Sequence, residues 1–270
     1  MAKFTTFSVR KNKVAEGAKP LVAVTAYDYT FAKLVDGLVD IVLVGDSLGM
    51  VVQGHTNTLS VTLEQMIYHT RCVAAGLKNT HLVVDMPFMS YQVTVEGALT
   101  NAGRLLSEGG AQAVKIEGGV TIARTITRLV EMGIPVMGHI GLTPQSVHAL
   151  GGYRIQGKTE IERESIIQDA LALEDAGVYA IVLEGIPSEL SQIITEQIKV
   201  PTIGIGAGPN CDGQILVLQD FLGLNPDFQP KFVKRFAKLA EETRSAVTAY
   251  ADEVREKSFP EKEHSFHVDS

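Results

Sequence analysis

Two cysteines, Cys72 and Cys211, are all that the 270 residues contain. They lie far apart and outside any C-x-x-C spacing, which argues against a disulfide framework or a zinc knuckle and fits a reducing cytoplasm. Basic clusters are missing too. Lys and Arg total 24 against 31 Asp and Glu, a net charge of -7, so nucleic acid and anionic membrane surfaces are poor partners and a small molecule is expected. The opening stretch MAKFTTFSVRKNKVAEG lacks the apolar run of about 7 to 15 residues of a secretory signal, and no run reaches the roughly 18 needed to span a bilayer. A soluble, cytoplasmic protein is expected. Low-complexity segments, short repeats and composition shifts are also lacking, so residues 1–270 are expected to form one domain.

What the chain has is a series of short β-branched runs at 21–28, 41–47, 81–87, 113–119, 134–141, 180–187, 200–208 and 215–220. They are nearly continuous in Val, Ile and Leu, the pattern of parallel strands covered on both faces. Amphipathic segments at 62–76, 94–110, 120–133 and 188–198 read as the covering helices. Gly76, Gly109, Gly133 and Gly177 are expected to end helices by adopting left-handed dihedrals. Eight β-then-α units with right-handed crossovers close most simply into a (β/α)8 barrel, an open doubly wound sheet being the weaker solution. The tail from Lys231 to Lys257 repeats Phe232, Phe236, Leu239, Val247, Tyr250 and Val254 at helical spacing and is read as a last barrel helix with an extension, stopped near Pro260. The final ten residues, EKEHSFHVDS, are expected to fray. The irregular stretches 47–61 and 141–158 follow strands directly and are candidate lids.

In barrels of this kind the active site gathers at the C-terminal strand ends. There the sequence sets Asp46, Asp85, Lys115, Glu117, His139 and Glu184. One aspartate at a strand end can equally be a turn or capping residue. Several on adjacent strands are another matter: two ionised carboxylates about 4 Å apart repel by roughly 4 kcal/mol at an effective dielectric near 20. Protons or a cation must neutralise such a cluster, and an all-carboxylate set favours a hard ion such as Mg2+, which leaves coordination positions for a substrate such as a 2-oxo acid. Lys115 and Glu117 share a strand face by period-two geometry. Lys115 can hold a substrate carboxylate, form a Schiff base, or simply pair with Glu117. Glu184 is a candidate general base, with a solvent-facing rim charge as its alternative. His139 reads equally as a catalytic group or a hydrogen-bonded core histidine. GIGAG at 204–208 is not a dinucleotide fingerprint, because a third glycine is replaced by Pro209 and the strand opens no Rossmann half.

The stretches TAYDY (25–29), VGDSLGM (44–50), QGH (53–55), DMPFMSY (85–91), VKIEGG (114–119), GHIGLTPQS (138–146), GGYRIQG (151–157), LEGIP (183–187), GIGAG and DGQ (212–214) together resemble the ketopantoate hydroxymethyltransferase family over most of the chain. The resemblance implies a (β/α)8 barrel of the phosphoenolpyruvate/pyruvate type with N- and C-terminal helical additions. It implies transfer of a hydroxymethyl group from 5,10-methylenetetrahydrofolate to 3-methyl-2-oxobutanoate, giving 2-dehydropantoate for pantothenate and coenzyme A synthesis through a Mg2+-stabilised enolate. Carried over residue by residue, it implies Asp46, Asp85 and Glu117 as the ligands of one Mg2+ per subunit. Asp46, Ser47, Asp85 and Lys115 become the oxo-acid contacts and Glu184 the proton acceptor; His139 stays a candidate further site residue on its own reading, outside this carry-over. The resemblance also implies a homodecamer. The rival readings are a Schiff-base aldolase using Lys115 and a non-catalytic, metabolite-binding barrel.

Overall fold

The computed structural model describes residues 4–268. Eight parallel strands run in sequence order and close on themselves: β1 (Leu21–Thr25), β2 (Ile41–Val44), β3 (His81–Asp85), β4 (Ala113–Glu117), β5 (Val136–Gly141), β6 (Ala180–Glu184), β7 (Thr202–Ile205) and β8 (Gly213–Leu216), with β8 pairing back to β1. The expected (β/α)8 barrel is therefore what the chain forms. The cause is visible in burial: every residue of β2, β3 and β4 is inaccessible, so each strand must be apolar on both faces or pair its polar groups.

The inner face decides where chemistry can sit. Leu21, Ala23, Ile41, Leu43, Val83, Ala113, Met137, Val182 and Ile203 fill the lower barrel as one cluster, the larger of them contributing about 1.5–3 kcal/mol each when fully buried. Moving two residues along a strand keeps a side chain on the same face. Asp85 thus stands above Val83, Lys115 and Glu117 above Ala113, His139 above Met137 and Glu184 above Val182. A polar layer caps an apolar plug.

The barrel's base is sealed by the N-terminal helix Thr6–Arg10, whose Val9 is 0% exposed and joins the inner cluster. Lys13 follows it and pairs with Asp212 at 2.8 Å, both inaccessible. Asp212 also accepts the backbone N–H groups of Val14 and Thr202, tying the segment to the start of β7.

The outer helices match their expected sites closely. Thr62 opens Leu63–Gly76 with a capping box to Gln65, and Thr94 caps Val95–Ser107. Ala123–Glu131 and Ser188–Gln197 cover later strands, as does Glu160–Asp175, again with a capping box. Three expectations need correction. Gly133 and Gly177 do take positive φ, but Gly76 is the last helical residue, and a Cβ there would lie 2.8 Å from both Tyr29 O and Ala32 Cβ, so its role is close packing against helix Tyr29–Val35. After Val95–Ser107 the left-handed residue is Gly110, not Gly109. The eighth strand lies at Gly213–Leu216 instead of 215–220, because Leu218–Phe221 turns helical.

By its contacts the chain divides after Val217 into two compact units. The second contains Leu218–Phe221, the helix Leu239–Glu256 and a short 3-10 turn at Lys262–His264. The long helix starts at Leu239, not Lys231. The N–H groups of Phe236, Leu239 and Ala240 are taken by the carbonyls of Phe221, Leu222 and Gly223, so the preceding residues cannot wind upon themselves. Of the tail expected to fray, residues 269–270 lie outside the described residues. Among the described residues no helix is long and apolar enough to cross a membrane.

Candidate active site

Strand register brings the polar residues together. Asp85 stands opposite Lys115, Glu117 opposite His139, and Gly141 opposite Glu184. Lys115 Nζ lies 2.9 Å from Asp85 Oδ1 and 2.9 Å from His139 Nδ1. His139 Nδ1 is 3.5 Å from Glu117 Oε1, and its Nε2 is 3.1 Å from Glu184 Oε2, within hydrogen-bond distance but not aligned for one. Asp46 enters from the turn after β2, where its backbone N–H donates to Asp85 Oδ2 at 3.0 Å. Gly45 permits that turn: a Cβ would stand 2.6 Å from Ser47 Oγ. Ser47 is half-buried and shares a 2.8 Å hydrogen bond with the Tyr27 hydroxyl. Asp46, Asp85, Lys115, Glu117 and His139 are all buried, whereas the Glu184 side chain keeps 18% of its surface open to the barrel mouth.

Electrostatics sort the acids. Burial, then the charges of Asp85 and Glu117, drive the Asp46 pKa well above the usual carboxylate value. Burial raises Asp85 as well, against the Lys115 charge. Glu117 differs: burial opposes ionisation, but His139, Lys115 and the Gln145 N–H together hold its pKa below normal. Burial also disfavours a charged Lys115, yet Asp85, Glu117 and Asp46 outweigh it and raise the ammonium's pKa. Burial and Lys115 oppose a proton on His139, and Glu117 and Glu184 overcome them, raising its pKa. With Lys115 charged and 2.9 Å away, neutral His139 must accept at Nδ1 and carry its proton on Nε2, facing Glu184.

Two groups that sequence reasoning missed complete the site. Gln145, in the 3-10 turn Pro144–Ser146, donates its Nε2 to Asp46 Oδ2 at 2.8 Å and its backbone N–H to Glu117 Oε2 at 2.9 Å. Tyr91 donates to Gln145 Oε1 at 2.8 Å. Neither residue is charged or periodic, so only the motifs GHIGLTPQS and DMPFMSY point toward them. The two candidate lids meet where the Tyr153 hydroxyl donates to Met50 Sδ at 3.5 Å. Burial and the charges of Asp46, Glu184 and Glu117 raise the Tyr153 pKa.

The family model described as Ketopantoate hydroxymethyltransferase matches residues 3–262. The chain belongs to the ketopantoate hydroxymethyltransferase family. A 3-methyl-2-oxobutanoate hydroxymethyltransferase of Pelobacter propionicus is 58% identical over 255 residues, covering 94% of each chain. One from Clostridium botulinum (strain Alaska E43 / Type E3) is 53% identical over 265 residues, 98% of this chain and 95% of that protein. Membership of the ketopantoate hydroxymethyltransferase family makes the chain an enzyme, a hydroxymethyltransferase. Solved structures share the barrel at low identity. A 2,3-dimethylmalate lyase of the PEP mutase/isocitrate lyase superfamily has TM-score 0.60 and 17% identity over 98% of this chain and 89% of its own. Phosphonopyruvate hydrolase in complex with oxalate and Mg++ has TM-score 0.61 and 13% identity over 98% and 93%.

Among the described residues no three His, Cys, Asp or Glu side chains stand close enough to hold a metal ion together. The cluster still fits an ion that takes few protein ligands and keeps its waters, as Mg2+ does. Asp46 and Asp85 resist ionisation through burial and the neighbouring acids. Asp85 Oδ1 meets Lys115 without an aligned hydrogen bond, leaving it acceptor capacity.

Proposed function

We propose that the chain transfers a hydroxymethyl group from 5,10-methylenetetrahydrofolate to 3-methyl-2-oxobutanoate, forming 2-dehydropantoate for pantothenate synthesis, with Mg2+ as its cofactor. The observation that carries the reading is the continuous contact series from Asp85 through Lys115 and His139 to Glu184, crossing adjacent strands inside the barrel mouth. It joins an anion-binding cation to a partly open carboxylate. An oxo acid whose charged end lies at Lys115 has its carbon chain directed along that series.

The residues then divide the work. Asp46, Asp85 and Glu117 hold Mg2+, in part through water. The ion, when bound, supplies Lewis acidity at a keto oxygen and neutralises the acids. Lys115, kept protonated by Asp85, offsets the substrate carboxylate, and Ser47 adds a hydroxyl contact. Glu184 takes the C3 proton, leaving the electron pair that forms the carbon–carbon bond to the folate's one-carbon unit. Water then supplies the hydroxyl as the bond from that carbon to the folate nitrogen breaks, and the nitrogen takes up a proton to leave tetrahydrofolate. His139 Nε2–H faces Glu184 Oε2 at 3.1 Å and keeps that carboxylate turned into the barrel mouth.

A Schiff base at Lys115 is disfavoured, because the surrounding carboxylates keep that amine protonated. The enzyme is proposed to act in the cytoplasm as a homo-oligomer, the decamer of the resemblance, which light scattering would measure. The deciding assay is product formation from the oxo acid and methylene-folate. Formation of 2-dehydropantoate that EDTA abolishes and Mg2+ restores supports the reading; none with Mg2+ present overturns it.

A further inference from the structure

Gln145 has no part in the roles just assigned, yet it binds two of the acids at once. It is 6% exposed. Its Nε2 donates to Asp46 Oδ2 at 2.8 Å and to Met86 O at 2.9 Å, while its backbone N–H donates to Glu117 Oε2 at 2.9 Å. Its Oε1 accepts from the Tyr91 hydroxyl at 2.8 Å and from Gln92 Nε2 at 3.2 Å. These partners fix the amide's orientation. Rotated by half a turn, it would set Oε1 against a carboxylate and the Met86 carbonyl, and Nε2 against the amide nitrogen of Gln92.

We propose that Gln145 is a positioning residue for the cation and oxo-acid site, holding Asp46 and Glu117 at a set separation while Tyr91 locks its amide. The inference rests on the proposed reaction. Its physical basis is that two buried carboxylates separated by a few ångströms repel by several kcal/mol, and so swing apart unless a donor restrains each. Gln145 restrains both from one residue. It occupies one oxygen of each acid, and the other oxygen of Glu117 stands 3.5 Å from His139 Nδ1.

The residue type matters as well as its place. A lysine would neutralise Asp46 and compete with a divalent ion, and a glutamate would add another charge to a site already crowded with them. A neutral amide donates without doing either. Because Gln145 lies in the stretch following β5, it also couples that candidate lid to the metal acids. Outer-sphere partners of this kind typically alter metal affinity by about 10- to 100-fold when removed.

The test uses the full chain, stripped with EDTA and titrated with Mn2+ alone, following free Mn2+ by its EPR signal. Gln145→Ala is expected to raise the Mn2+ Kd by about 10- to 100-fold. Tyr91→Phe, which removes the hydroxyl that donates to Gln145 Oε1 at 2.8 Å and to the Glu117 carbonyl at 3.2 Å, is expected to shift it in the same direction by a smaller factor. In both, KM for the oxo acid should rise more than kcat falls, with the metal-free unfolding midpoint near that of the parent. Unchanged Mn2+ affinity in both variants overturns the inference, as does a loss that only tracks a lowered midpoint. Should Gln145→Ala fail to fold, Tyr91→Phe carries the same comparison. Failure of the unsubstituted protein to bind Mn2+ would instead remove the metal reading itself.

Discussion

Asp85 and Lys115 face each other in the β3–β4 register, and their side chains pair at 2.9 Å with only 5% of either surface accessible. The pair keeps a lysine charged at a depth where an isolated ammonium would lose its proton. It also ties the second acid of the candidate site to the cation proposed to meet the substrate carboxylate.

Removing one partner should therefore be costly. Lys115→Met is expected to lower stability by about 3–5 kcal/mol, the usual consequence of stranding one half of a buried ion pair. Adding Asp85→Asn should recover part of the loss. Urea unfolding of both variants measures this, and equal midpoints for parent and single mutant would contradict it.

Glu184→Gln should keep oxo-acid binding and lose turnover by about 100- to 10,000-fold, the range for a positioned general base. NMR of deuterium exchange at C3 of the bound oxo acid is the direct probe. Fast exchange in the glutamine variant would move the base to another residue.

Mg2+ should stabilise the fold as well as activate it. At a free concentration about 100 times its Kd, a ligand bound only by the native state adds about 2.7 kcal/mol. Calorimetry with EDTA and then with excess Mg2+ should show the midpoint rising. The same midpoint in both would argue that the acids are neutralised by protons.

Asp220, which is not among the candidate site residues, offers a pH test. Burial lifts its pKa from 3.8 to about 6, with Arg235 opposing the rise. A carboxyl whose folded value exceeds its unfolded value takes up its proton more readily in the native chain. Stability from this group is thus fully present below the unfolded value and falls as pH climbs through the interval between the two. Asp220→Asn should raise the thermal midpoint at about pH 8 and leave it almost unchanged at about pH 4. Equal shifts at both would refute the assignment.

Much of this was readable from residues alone. Continuous Val and Ile runs announced strands covered on both faces, and period-two spacing put Lys115 and Glu117 together in the cavity. That the charged residues cluster was legible because a charge at the end of an apolar run has few innocent explanations. Gln145 and Tyr91 were missed because they are uncharged and sit in stretches without periodicity. Their importance arises only when β2, β4 and the segment after β5 converge. The tail shows the opposite error. Its apolar spacing is helical from Phe232 onward, but the N–H groups of Phe236 and Leu239 bond to Phe221 and Leu222, so tertiary pairing overrides local pattern.

Val9, wholly enclosed among the inward-facing residues, gives the barrel a floor. The polar layer is therefore approached past Glu184, whose side chain keeps 18% of its surface exposed, so the proposed oxo acid would pass its base on the way to Lys115.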